Sequence, residues 1–303
     1  MTVDFSPRAK RRKPFQWGQC ILHIVFIAAC LTYILPFLLV VSISLSNEAD
    51  LIKYGYSLIP RNFTTLSYRA VFKNPTQIVN SYLVTAEFSL LSMALMLLVQ
   101  SICAYAISRT NFKYRKAVTF LLFFTMLFSG GMVPSYVINS KYLGLKDSFW
   151  IYVLPTLVSA WNIFVMRTNF KQLPDGLIEA AKIDGASETR ICFQIVLPLC
   201  VPVLATLAFN FFVNQWNSWT TTMIYITSPR LYSLQYLLQK ILAEAEFLKQ
   251  MADQGVINNA TNMMPTDSLT YAMAMVAAGP VLVIFPLFQK YFVKGMTIGS
   301  VKG

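Results

Sequence analysis

The sequence predicts an all-α membrane protein of about six transmembrane helices, and three observations carry the prediction. Of the 303 residues, 56% are hydrophobic and only 13% charged, where a soluble domain carries about 25% charged residues. Long apolar runs recur along the whole chain, each near the roughly 20 residues that cross hydrocarbon as a helix. Lys and Arg gather in alternate loops between those runs, which sets an orientation.

The elements follow in order. Residues 1–18 form a basic tail with Arg8, Lys10, Arg11, Arg12 and Lys13. It resembles the charged start of a signal peptide, but the apolar run Ile21–Leu45 is too long for a signal core and lacks a small-x-small cleavage site. We therefore expect a retained span, with residues 19–303 forming one transmembrane domain. The six expected spans are Cys20–Ser44, Ile78–Ile107, Ala117–Ile138, Phe149–Met166, Leu199–Ile226 and Ser268–Val293. With the N-terminus in the cytoplasm, cytoplasmic segments hold 16 Lys and Arg and outer segments 9, so both termini are expected inside.

Two outer segments are long, 47–77 and 227–267. In the first, Thr64 or Thr65 can cap a short amphipathic helix. In the second, Leu234, Leu237, Leu238, Ile241 and Leu242 recur at helical spacing, predicting a helix along the outer membrane face. Asn259-Ala-Thr261 is a formal glycosylation sequon, a pattern common by chance. In the third span, Gly130, Gly131 and Pro134 destabilise regular helix, so a kink or break is expected near its outer end, either a gating hinge or a bend packed by neighbours.

Several chemistries find no support. The five cysteines form no CxxC pair and the one histidine, His23, stands alone, so neither a metal site nor an intramembrane catalytic cluster is expected. A phosphate-binding loop needs glycines five apart followed by Lys-Ser/Thr; none of the twelve glycines are so spaced. The net charge of +12 is read as membrane orientation rather than nucleic-acid binding. An ion-coupled secondary transporter or channel subunit is the alternative class. It would show charged partners in several spans or an internal repeat, and neither is seen.

The loop 167–198, between the fourth and fifth spans, carries the strongest pattern. Pro174 suits a helix start, and Asp175 and Glu179 put negative charge near its N-terminal end. Ala180 and Ala181 are helix formers of little bulk. Gly185 can take positive φ and stop that helix. Ser187 can cap a second short helix, and Pro198 and Pro202 mark re-entry into the membrane. A helix–turn–helix with small central side chains suits insertion into a cleft of another protein better than it suits lying on a bilayer.

Glu179-Ala180-Ala181, Gly185, and then Ile195-x-Leu197-Pro198 match the EAA signature of ABC importer permeases at every fixed position. The rest of the chain resembles the maltose-type carbohydrate permeases. Asn80-Ser-Tyr, the Gly130-Gly131…Pro134 segment, Leu143-Gly-Leu, Trp150…Leu154-Pro155 and the tail from Tyr291 are similar to a subgroup importing complex and uronic-acid-containing oligosaccharides, the alginate type among them. The resemblance implies a bacterial cytoplasmic-membrane subunit, not an enzyme. It implies that the loop is a coupling helix in which Glu179, Ala180, Ala181, Asp184, Gly185, Ile195, Leu197 and Pro198 meet an ATPase dimer that holds ATP and Mg. A second, homologous permease and an external sugar-binding protein are implied as partners, with no cofactor in this chain.

Polar residues inside spans face a bundle interior or a water-filled path. In the fifth span Asn210, Asn214, Asn217 and Thr221 fall at spacings of four, three and four, one helical face, with Trp216 and Trp219 adjoining. Amides satisfy sugar hydroxyls and aromatic rings stack on sugars, so this stripe is a candidate translocation path; helix–helix hydrogen bonding and interfacial tryptophan are the competing reading. Glu87, the one acid well inside a span, is expected to be buried against a neighbouring helix or near the outer surface rather than to relay protons.

Overall fold

The computed structural model describes residues 17–254 and 266–299. The basic tail before residue 17, the sequon at 259–261 and residues 300–303 lie outside them. Among the described residues there is no strand, only an isolated antiparallel bridge between Ser46 and Phe63.

The helices are α1 (Trp17–Ser44), α2 (Glu48–Tyr54), α3 (Leu66–Val71), α4 (Pro75–Ser108), α5 (Arg115–Leu127), α6 (Met132–Val137), α7 (Ala160–Phe170), α8 (Asp175–Ile183), α9 (Glu188–Ile191), α10 (Leu197–Leu199), α11 (Val201–Trp216), α12 (Thr220–Tyr225), α13 (Leu234–Asp253) and α14 (Asp267–Gly299). Three of them are unbroken apolar helices long enough to cross a membrane: α1 from Ile21, α4, and α14 as far as Pro286. They correspond to the first, second and sixth expected spans.

The other three expected spans are bent, each for a local reason. Arg115–Leu127 and Met132–Tyr142 meet at 116°, because Gly131 sits at φ +81° and the chain runs extended through Phe128. The 13 residues of α5 rise about 20 Å, short of the ~30 Å hydrocarbon; the third span is thus a bent pair, broken at the glycines where a kink or break is expected. Phe149–Thr156 and Ala160–Phe170 meet at 48°. There Pro155 interrupts, and the Ser159 hydroxyl accepts from the Asn162 N–H at 3.5 Å to start α7. The fifth expected span is α11 and α12, broken after Trp216; at its start Glu188–Leu199, from the EAA loop, meets Val201–Trp216 at 81°, where Pro198 and Pro202 flank the bend and supply no N–H.

Helix α4 is the axis of the bundle, packed against α7, α11 and α13, while α14 packs on α11, α3 and the last turns of α1. Its inward face carries Ser81, Thr85, Ser89 and Ser92, all fully buried; small residues let helices approach closely in a membrane. Its outward face carries Val79, Leu83, Leu90, Leu91 and Leu98. Glu87 is exposed on that outward face, which removes burial against a neighbouring helix, one of the two placements expected for it.

Two apolar cores lie along α4. One surrounds its first half and joins Val84, Phe88, Ile151, Tyr152, Phe212, Trp216, Leu234 and Leu269. The other surrounds its second half and joins Met96, Ile107, Ile163, Phe170, Ile178, Ala181 and Ile191. We call the second the EAA end and the first the far end. The amphipathic helix α13 belongs to the far end. Leu234, Leu237, Leu238 and Ala245 are buried against α4, α12 and α14, so its apolar face packs on protein rather than on a membrane surface. The short helix α3 does start at Leu66; it is Thr64, not its neighbour, whose hydroxyl accepts the Leu66 N–H at 3.3 Å.

Candidate functional site

The EAA loop folds as the local sequence dictates. Pro174 precedes α8, and its carbonyl accepts the N–H of Leu177 at 3.1 Å. The helix is stopped by two crossed bonds: Ala186 N–H to the Ala181 carbonyl (2.9 Å) and Gly185 N–H to the Lys182 carbonyl (3.0 Å). That pattern needs a left-handed residue between them, and Gly185 supplies it at φ +80°. A side chain there would meet nothing within 4 Å, so the backbone angle alone demands glycine. Ser187 then caps α9 by accepting the Arg190 N–H at 3.3 Å.

The two alanines of the signature have opposite surroundings. Ala181 and Ile178 are buried at 8% and 4% exposure and join the core of the EAA end. Glu179, Ala180, Ile183 and Asp184 are exposed, Ile183 at 87%. Helix α8 therefore leans on the bundle by one side and presents an acid, a small residue and a bare apolar side chain on the other. Ile195 and Leu197 are half-buried against the same core, and Pro198 lies exposed at the 81° bend.

Two residues that sequence spacing did not single out complete the site. The Glu188 carboxylate takes the Lys182 ammonium at 2.6 Å and the Tyr105 hydroxyl at 2.5 Å. Those bonds, that from Lys182 first, outweigh its partial burial and hold it below the ordinary 4.5. The Arg109 guanidinium lies 5.0 Å over the Tyr105 ring. A cavity of about 450 Å³ opens beside them, walled by Ile102, Ala106, Phe112, Cys192 and Phe193. Tyr105 and Glu188 are 83 residues apart, so no sequence periodicity links them.

The fifth-span stripe is brought together only in part. Asn210 and Asn214 are exposed on α11, and no side-chain hydrogen bond engages them among the described residues. Asn217 ends that helix, donating to the Val213 carbonyl (2.8 Å) and accepting from Gln235 (3.0 Å). Thr221 belongs to the separate helix α12 and contacts Ser218 at 3.4 Å. The single face expected across 210–221 is therefore broken after Trp216. Trp216 does not adjoin any open path: it is 2% exposed and donates its indole N–H to the Ala277 carbonyl at 2.9 Å. Trp219 is partly exposed. Gly130 and Gly131 occupy the sharp turn between α5 and α6, and Pro134 follows in the first turn of α6 beside the exposed Met132 and Val133.

A bundle of unbroken and broken spans with one helix–turn–helix at its end has the architecture of a membrane transport subunit. The chain belongs to the family of inner membrane components of binding-protein-dependent transport systems, whose model matches residues 83–298. It is a transporter permease subunit and not an enzyme; ATP is hydrolysed by a separate ATPase. It is 35% identical to the polygalacturonan/rhamnogalacturonan transport system permease protein YtcP of Bacillus subtilis, covering 89% of this chain and 93% of that one. It is 32% identical to the galactooligosaccharides transport system permease protein GanQ of the same organism, over the full length of both. Among solved structures it resembles a bacterial ABC transporter involved in import of the acidic polysaccharide alginate, with a TM-score of 0.74, 25% identity, and coverage of 93% and 100%.

Proposed function

We propose that this permease imports oligosaccharides that contain acidic sugars, and that α8 is the element through which an ATPase dimer drives it. The observation that carries the coupling assignment is the outward face of α8. An exposed Ile183 beside Ala180 is an apolar spot that asks for cover by another protein. Glu179 and Asp184 flank it and suit a basic rim. Gly185, Ile195, Leu197 and Pro198 fix the angle at which that face is offered. ATP and Mg bind on the partner, the EAA end faces the cytoplasm, and both termini lie on that side. A second, homologous permease completes the path, lipid covers the remaining surface, and an external binding protein delivers the sugar.

Asn210 and Asn214 are the residues this chain contributes to the path. Exposed amides on a membrane helix are costly against lipid and useful against sugar hydroxyls. The acidic-sugar assignment draws on the polygalacturonan and alginate substrates of the relatives; the galactooligosaccharide relative marks a neutral sugar as the competing substrate. The test is purification of the assembly followed by uptake into vesicles of an oligogalacturonide and a neutral galactooligosaccharide, each with its binding protein. ATP-dependent uptake of the acidic sugar is expected. Uptake of the neutral sugar alone overturns the substrate, and isolation of the chain with no ATPase overturns the coupling.

A further inference from the structure

Helix α8 touches the bundle through little apolar surface. Of its nine residues only Ile178 and Ala181 are buried. Apolar contact is non-directional, so those two side chains resist separation but not rolling or sliding. A lever that rolls on its seat delivers no defined motion. Hydrogen bonds to fixed donors are directional, and the structure places two of them on one carboxylate.

We propose that Glu188 is a positioning residue that locks α8 to the end of α4, so that a push on α8 moves the central helix as one body with it. The inference rests on the reading of α8 as the ATPase-docking element. One oxygen of Glu188 takes Lys182, in the last turn of α8; the other takes Tyr105, in the last turn of α4. Glu188 is itself fixed at the start of α9 by the Ser187 cap. Tyr105 is 7% exposed, and Arg109, over its ring, also donates to the Phe170 carbonyl at 3.5 Å. The clamp therefore enters the helix that runs through both cores. Lys182–Glu188 is the one ion pair among the described residues. Its side chains are 38% and 55% exposed, and water screens such a pair. It adds little stability; alignment is what it supplies.

The test uses the assembled transporter with its ATPase and second permease. Spin labels go at Leu98→Cys on α4 and Gly176→Cys on α8, in a cysteine-free background. Both positions are exposed, and a side chain at Gly176 meets nothing within 4 Å. With the clamp intact, the label separation is the same with and without ATP. In Tyr105→Phe and in Glu188→Ala it changes on ATP binding by about 2 Å or more, the scale of helix shifts in coupled assemblies. The unfolding midpoint stays where it is in both variants. Lys182→Glu paired with Glu188→Lys, which rebuilds the ion pair with its charges exchanged and lets the new ammonium donate to the Tyr105 oxygen, restores the constant separation. A separation that ATP leaves unchanged in both clamp-breaking variants overturns the proposal, and so does the exchanged pair behaving like Glu188→Ala. Loss of the ATPase from the parent assembly, read before labelling, overturns the docking reading and with it the clamp.

Discussion

At the far end a single carboxylate, Glu48, gathers the backbone N–H groups of Thr266, Asp267 and Ser268 and the hydroxyls of Thr266 and Ser268, 218 to 220 residues away in sequence. At the EAA end Glu188 gathers one ammonium from six residues back and one phenol. The far end is further knitted by Trp216 to Ala277, by Thr85 accepting the Leu234 N–H, by Tyr152 to the Leu231 carbonyl, and by Gln77 and Asn80 donating to the carbonyls of Pro229 and Arg230. Asp147, at φ +55°, accepts from the N–H groups of Thr227 and Ser228, and those bonds hold its carboxyl below the usual carboxylate range. Fixed bonds across large sequence separations make one end a frame. Fewer such bonds, with seven of the nine residues of α8 exposed, leave the other end more open. On the proposed coupling role of α8, force applied at the open end does work only against the rigid one.

The largest expected effect lies in the frame. Trp216→Ala leaves a cavity and loses the bond to the Ala277 carbonyl, and is expected to cost about 3–5 kcal/mol, read as thermal unfolding in detergent. A midpoint equal to the parent's would dissolve the contrast between the ends. Glu48→Ala strips the acceptor from the first turn of α14 and should cost about 1–2 kcal/mol, the worth of a helix cap. Its pH dependence is distinctive. Burial raises the carboxyl of Glu48, but the three N–H groups and the Ser268 hydroxyl outweigh it and hold it below 4.5. A carboxyl lowered on folding stabilises the fold above its ordinary value, so this contribution is complete at neutral pH and drains away as pH falls below about 4.5. The parent should lose more stability over that window than the variant, and the excess is the share of Glu48.

At the EAA end the expected sizes are smaller in stability and larger in transport. Gly185→Ala forces a side chain into the left-handed region at a cost of about 1–2 kcal/mol, confined to the loop. Hydrogen exchange should rise across 180–186 while the global midpoint holds and ATP-driven uptake falls. A lowered global midpoint would mean that the loop is part of the frame. On α11, Asn210→Leu with Asn214→Leu is the smallest change to the fold, within about 0.5 kcal/mol, because both side chains are exposed. Reduced uptake with intact assembly is the expected result; unchanged uptake removes them from the path.

Much of this was readable from residue order alone. Apolar length found α1, α4 and α14, and proline, serine and glycine at 174, 187 and 185 marked the turns of the EAA loop, because capping and positive φ are decided within a few residues. Trp216 and Thr221 were misplaced for the converse reason. Helical spacing assigns a face only while the helix lasts, and α11 ends at Trp216. The burial of Trp216 depends on Ala277 in another helix, which no local pattern encodes.

The sequence by itself determined the membrane class, the unbroken spans and the shape of the helix–turn–helix, since each follows from hydrocarbon thickness and short-range backbone geometry. Only the tertiary structure decided which alanine of the EAA signature is buried and which is offered. It alone decided that Glu48 caps α14 and that Glu188 joins α8 to α4. Those outcomes depend on which surfaces meet once the chain is folded, and contact between residues far apart leaves no trace in their spacing.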